Sequence, residues 1–558
     1  LFRSLHIKRN HILLLFWLVL FLYVSGNLGV GFGIDTLFLA PIYMGQIGPW
    51  SFLIMGFSLG GFIMAFHIYS YILFSRDFTF LATLSRPFLK FCLNNMLIPS
   101  LFILTYLVQI YFFLTEEELM NSGIVMIYII CVLIGLFIFY ILSILYFIQF
   151  NKNVFVISGK TETYFENLGN DKVKESNFIK KKKNSRVNVY KNTWRVDTYL
   201  SSFFSINIAR STRHYDKELI QKVFTQNHVN ASIFELALIV SFLGIGFFRD
   251  ISWLNIPAGA SIFLLFTLLI MLFSVLYSWL KGWTLTFLIL AIVSFNFLTN
   301  RFHLFQFRNY AYGLNYDFKS KYDHENISDL QQDKLQLEKA VNENIEILNN
   351  WSQKNKGINK PKMVFINTSG GGLRSALWTV HVMNYLDSLT NQQLTKQTHL
   401  ITGASGGMIG AAFYRENYKK GIYGETVVDG NEMKSRISKD LLNPLAFSIA
   451  TTDMFYRFKK HDDGRYIYTK DRGWFFEKNL IENLNCFEGK RILDYKLPEY
   501  QSDIPMMIFS PSVVNDGRRL LISPQKITFL CNTDTSLFSG KIALENIEFS
   551  TLFNQNDP

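Results

Sequence analysis

Apolar stretches of about 20 residues recur through the first 300 positions, and each is long enough to cross a hydrocarbon core, which a buried soluble helix rarely needs. Seven such spans are read at 11–32, 50–74, 92–114, 122–149, 232–248, 257–280 and 283–299. Phe alone accounts for 54 of the 558 residues and crowds into these runs. The segment "RSLHIKRN" precedes the first span, which lacks a small-residue cleavage site after a short apolar core, so a retained helix is expected and not a signal peptide. Beyond residue 300 the chain mixes charge, turns and moderate hydrophobicity as a soluble domain does. The expected architecture is therefore a polytopic helical membrane domain over 1–300 followed by an α/β domain.

Charge fixes an orientation. The net charge of +12 could advertise nucleic-acid binding, but residues 151–230 hold 15 Lys and Arg against 7 Asp and Glu, between two spans. A basic loop flanked by spans marks the cytoplasmic side, and it is also suited to anionic headgroups, so no nucleic-acid partner is expected. Segments 33–49 and 115–121 carry no Lys or Arg, whereas 76–90 is basic, which fits an inside N-terminus. Seven spans would put the C-terminal third outside the cytoplasm. If the last two spans, parted only by "KGW" (281–283), form a re-entrant pair or one miscounted helix, it would lie inside. The side stays open, and the Lys, Asn and Ile usage suggests a bacterial inner membrane.

Ionisable groups are scarce within the spans. Glu235 lies close to one end of its span and His67 stands inside another, with Asn296 a polar companion in the last. A proton path through His67 and a transporter reading compete with simple packing between helices, and packing is the reading adopted. The four cysteines, Cys92, Cys131, Cys486 and Cys531, show neither CxxC spacing nor a disulfide framework, so no metal site is expected.

Residues 301–360 read as an interfacial segment and a linker helix. The first part, 300–325, is aromatic and polar, which suits the headgroup level. After Ser328 as N-cap, Leu330, Leu335, Leu337, Val341, Ile345 and Leu348 mark one apolar helix face. "SQKNKGINKPK" then closes the linker, and a domain over 361–558 begins with a strand at 362–367.

That domain carries two glycine turns. "MVFINTSGGGLRSALW" reads as strand, turn and helix, with Gly370, Gly371 and Gly372 free to take positive φ and present N–H groups, and Arg374 a fixed cation just beyond. The spacing is neither GxGxxG nor the Walker pattern. "HLITGASGGMIGAAF" gives a second strand, then Gly403-Ala404-Ser405-Gly406-Gly407, then a helix rich in small residues. This is the GxSxG form in which a sharp turn exposes a serine oxygen, with Gly403 and Gly407 avoiding the clashes of that turn.

The serine lacks an evident histidine. His461, in "FKKHDDGRY", is the only one downstream, while His381 and His399 precede the serine. A Ser-His-Asp triad is poorly supported, and activation by a carboxylate fits better.

The pair "SGGGLRSA" (369–376) and "GASGG" (403–407) resembles the patatin-like phospholipase family over roughly residues 360–558. That resemblance implies an α/β/α sandwich and a Ser-Asp dyad lipid acyl hydrolase needing no cofactor or metal. Ser405 would attack an ester carbonyl, the amides of Gly370, Gly371 and Gly372 would hold the oxyanion, and Arg374 would assist near the lipid phosphate or oxyanion. Membrane lipids would be the substrate and the bilayer the site of work. The family's dyad aspartate stands in Asp-Gly-Gly or Asp-Gly-Ala. This chain offers Asp429-Gly430-Asn431, Asp463-Gly464-Arg465 and Asp516-Gly517-Arg518, and none matches. Asp516 is read as hairpin-turn chemistry. The chain starts with Leu and stops at "TLFNQNDP", where the aspartate strand should come, so a fragment of a longer protein is expected, with the base beyond Pro558. A catalytically inactive membrane scaffold or lipid-binding protein is the alternative.

Overall fold

The computed structural model describes residues 11–150, 196–202, 205–210, 217–248, 251–280, 283–302, 321–454, 459–462, 464–531 and 546–552, with residues 212, 215 and 314. Most of the basic loop (151–195), most of the expected interfacial segment (303–313 and 315–320), Asp463 and residues 455–458 lie outside them. The described chain is largely helical, with a few small sheets. It forms two compact units, one from residues 1–308 with 440–476 and one from 309–439 with 477–558.

The first unit holds the apolar helices: α1 (His11–Val24), α2 (Pro49–Phe74), α3 (Leu97–Phe112), α4 (Ser122–Phe150), α5 (Lys217–Phe247), α6 (Ala258–Leu280) and α7 (Thr284–Phe302). Each expected span is built on one of these helices, and five of them are long and apolar enough to cross a membrane, as an integral membrane protein requires. The helices near α1 and α7 are shorter, at Leu13–Val24 and Thr286–Phe302. The expected first span stops early because Gly26, Gly29 and Gly33 all take positive φ and break the helix.

Close helix approach organises this unit. A β-carbon on Gly56 of α2 would lie 2.0 Å from the Val132 carbonyl oxygen of α4, and one on Gly135 would lie 2.0 Å from the Leu53 oxygen. Small residues let the two backbones meet where hydrophobicity alone gives no drive. His67 is fully buried on α2, with Nε2 3.3 Å from Met96 Sδ and Nδ1 3.4 Å from Asn95, in keeping with a packing role.

Residues 440–476, read from sequence as part of the 361–558 domain, belong to this membrane unit. The helix Leu442–Ser448 runs into a π-helical turn at Ile449–Asp453. Buried Asn443 accepts from the Ala258 amide at 2.8 Å and donates to the Ile42 carbonyl at 2.6 Å. Phe447 packs with Leu264 and Leu268, and Thr451 presses on Gly246 of α5. The segment is thus fixed at the end of the helices where α5 stops and α6 begins.

The second unit is built on three parallel strands, β1 (Val364–Thr368), β2 (Thr398–Gly403) and β3 (Met506–Phe509), in the order β1-β2-β3. A short parallel pair, β4 (Arg519–Leu521) and β5 (Asn546–Glu548), follows, joined to β3 by an antiparallel bridge at Phe509 and Ile522. Parallel strands need both faces covered. Helix α8 (Lys334–Lys354) contributes Ile347 to a cluster with Met506 and Ile508. On the other face Ile401 and Met507 meet α9 (Gly372–Leu389), α10 (Ser405–Ile422) and α11 (Gly430–Ile437).

Two details of the linker differ from expectation. Ser328 lies inside the helix His324–Gln332, and the caps are Asp323 and Asp333, each accepting from helix amides. A carboxylate at the start of a helix also complements its dipole, which a serine does not. The apolar face is displaced as well: Leu335, Val341, Ile345 and Leu348 are exposed, while Ala340, Ile347 and Trp351 are buried. The apolar pattern is wider than the strip that the sheet covers, and the sheet takes the edge carrying Ile347.

Buried polar groups hold α10. Arg415 is paired with Glu499 and donates to the Pro505 carbonyl at 3.1 Å, and Glu416 is paired with Lys490 and accepts from Tyr495 at 2.7 Å. Burial pushes the Glu499 carboxyl up to about 7, with Arg415 offsetting part of that cost.

Candidate active site

Parallel strands direct the groups that follow them to one end of a sheet, the usual place for a site. Here β2 is central, with Thr368 and Phe509 registered on either side of Gly403. The glycine turn after β1 and Ser405 after β2 therefore leave the sheet side by side.

The backbone at Ser405 is forced. Its φ is +56°, unusual for any residue with a side chain, and Gly403 takes +153°. A β-carbon on Gly403 would lie 2.2 Å from Thr368 Oγ1 and 2.3 Å from the Thr368 carbonyl oxygen. Only glycine fits there, so the chain turns sharply and sets Ser405 on the exposed surface at the start of α10. Positive φ at an exposed serine between strand and helix is the geometry expected of a nucleophile elbow.

The other glycines build the wall around it. A β-carbon on Gly370 would stand 3.3 Å from Ser405 Cβ and 3.8 Å from its Oγ, so the first turn lies directly over the serine. Gly371 (φ +148°) caps α9, Gly372 takes φ +64°, and the opening amides of α9 have no carbonyl within the helix to accept them. Gly407 abuts the Ser369 carbonyl oxygen, where a β-carbon would be 2.3 Å away. Arg374 is exposed on the first turn of α9.

Helices α9 and α10 are pressed together in register. The Gly372 oxygen meets Gly406 and the Ala376 oxygen meets Gly410, at 1.8 Å and 2.3 Å from where β-carbons would stand. Contacts that advance by four residues on both helices mean that the two run parallel. Their N-termini, each carrying partial positive charge, adjoin at Ser405. The sequence reading missed Gly406 and Gly410 as packing glycines, although their i, i+4 spacing was visible. It also missed Ser375, whose hydroxyl donates to the Ser369 carbonyl at 2.6 Å and pins the glycine turn.

The acid-base partner is a different matter. His381 stacks with Tyr385 on α9, and His399 meets Phe365, its ring pushed toward the neutral form by burial. His461 lies in the first unit beside Trp474. Asp429 caps α11, accepting from the Glu432 amide at 2.7 Å. Asp516 accepts from the Arg518 amide at 3.1 Å and the Tyr322 hydroxyl at 2.8 Å, beside Gly517 at φ +76°, as turn chemistry requires. Those two hydrogen bonds hold its carboxyl below the ordinary range. Among the described residues, no histidine or carboxylate is hydrogen-bonded to Ser405.

Comparison with known proteins gives no match: no protein family, curated protein or solved structure resembles the chain closely enough to count.

Proposed function

We propose that this chain is a membrane-anchored serine acyl hydrolase of lipids, patatin-like in its α/β/α domain. The observation that carries the reading is Ser405 at φ +56° with Gly370 against its side chain, at the end of the central parallel strand. In this reading Ser405 Oγ attacks an ester carbonyl, and a general base takes its proton. The Gly371 and Gly372 amides, reinforced by two helix N-termini, stabilise the oxyanion. Arg374 serves the lipid phosphate or that oxyanion. The base is assigned to an aspartate outside the described residues, because Asp429 and Asp516 are engaged in a cap and a turn.

Two observations support a lipid substrate. The same chain carries five helices long and apolar enough to cross a bilayer. On α9, Trp378 one turn beyond Arg374, with Tyr385 and Leu389 further along, are exposed at 67%, 57% and 62%, and Trp and Tyr favour the membrane interface. We place the protein in a bacterial inner membrane with its hydrolase domain on the non-cytoplasmic side. The basic segment between α4 and α5 marks the cytoplasmic side, and three apolar helices follow it before the hydrolase domain.

A second reading, a non-catalytic membrane scaffold, is favoured because no base among the described residues is hydrogen-bonded to Ser405. Labelling by a serine-directed fluorophosphonate separates the two, since an activated serine reacts and loses that reaction in Ser405→Ala, whereas a scaffold's serine does not react.

A further inference from the structure

The membrane unit contains a carboxyl that the hydrolase reading does not use. Glu235 stands near the start of the apolar half of α5, Ala231–Phe247, in keeping with its expected place close to one end of a span, and the helix extends back from there to Lys217. It is fully buried, and neither of its oxygens has a hydrogen-bond partner. Ser274 of α6 is turned toward it, also fully buried and also without a partner. Neither α2 nor α6 contains a Lys or Arg to balance a charge. A carboxylate left without counter-ion or donor in hydrocarbon is strongly disfavoured, and such residues are usually retained for function.

A buried polar line leads to it. His228, Ser232 and Glu235 stand at i, i+4 and i+7 on one face of α5, spanning about 10 Å, and all three are buried. His228 Nε2 is 2.8 Å from Ser75 Oγ at the end of α2, next to exposed Arg76. The same face continues beyond Glu235 as Ile239, Phe242 and Gly246, whose side chains cannot exchange a proton. The line therefore opens at the Arg76 end of the helices and stops at Glu235, inside the apolar half of α5.

We propose that Glu235 is a proton-binding site of the membrane unit, loaded from the basic end of the helices through His228 and Ser232. Binding forms an O–H bond on the carboxylate, the proton coming from water at that end and returning there on release. The titratable groups around it are Tyr69 of α2 and Tyr277 of α6, whose rings pair at 6.5 Å, with His228 below them on α5. Tyr146 of α4 is engaged with the Asn230 carbonyl at 3.4 Å. Arg76 and Asp77 stand at the exposed end of α2, and Asp453 is held at the far end, near Arg472.

Infrared spectroscopy of the full chain in lipid vesicles tests this. The unaltered protein should show a protonated-carboxyl band that moves on ¹³C-glutamate labelling and shifts promptly in D₂O. Glu235→Gln, a neutral replacement of the same shape, should lose that band, and His228→Ala should keep it but lose the prompt shift. A spectrum unchanged in Glu235→Gln would overturn the site. A band that never shifts in D₂O would mean a sealed structural acid, and prompt exchange in His228→Ala would overturn the route. Exchange in D₂O, recorded in a Glu499→Gln background to remove the other proton-holding buried carboxyl, decides the second point even if Glu235→Gln does not fold.

Discussion

The carbonyl oxygen of Gly372 lies 1.8 Å from where a β-carbon on Gly406 would stand, so the helix that follows the glycine turn and the helix that starts at Ser405 touch backbone to backbone. That contact ties the two turns into one site. Gly406→Ala should force the helices apart and destabilise the second unit by about 1–3 kcal/mol or more, since overpacking cannot be relieved by a rotamer change. Thermal unfolding of the purified protein reads this. An unchanged midpoint would mean that the helices are not so close.

Strain at Ser405 makes a separate prediction. A non-glycine residue in the left-handed region costs roughly 1–2 kcal/mol. Ser405→Gly should therefore be more stable than Ser405→Ala, which keeps the Cβ at φ +56°. Equal stability of the two variants would mean that the turn is relaxed.

The buried Arg415–Glu499 pair sets a pH dependence. Glu499 rises from 4.5 to about 7, and its Oε2 has no partner, which suits a proton there. The unfolded carboxyl ionises first, so the stability this group contributes is fully present below its unfolded value and is lost as pH rises through about 7. Chemical denaturation between pH 5 and 8 should show falling stability over roughly that window, and Glu499→Gln should flatten the slope. A slope that persists in Glu499→Gln would assign the effect to another group.

Asn443 should matter to the membrane unit although it lies in sequence between two stretches of the second unit. Its side chain closes a buried hydrogen bond to Ala258 and a partly buried one to Ile42. Asn443→Ala leaves the buried Ala258 amide unpaired, at about 1–3 kcal/mol. Faster heat-induced aggregation in detergent is the expected result. Wild-type behaviour would show that residues 440–476 are not held there.

Much of this was legible in the sequence, and the failures have physical causes. Apolar length exposed the helices, and the two glycine turns stood out because only glycine tolerates their backbone. The full length of α5 was missed because polar residues such as His228 and Asn230 hid the first half of a 31-residue helix. The face of α8 was misread because periodicity reveals an apolar stripe but not how much of it a sheet will cover. Residues 440–476 carry no sequence mark of their allegiance, since Phe447 and Thr451 suit any core. The base for Ser405 was not legible either, because Asp-Gly serves turns as readily as catalysis.

The central claim is that Ser405 is an activated nucleophile, and fluorophosphonate labelling of the full-length protein in native membranes measures it directly. Covalent labelling of the unaltered protein, mapped to Ser405 and abolished in Ser405→Ala, is the expected result. Labelling that persists in Ser405→Ala, or no labelling of a folded protein, would contradict the account.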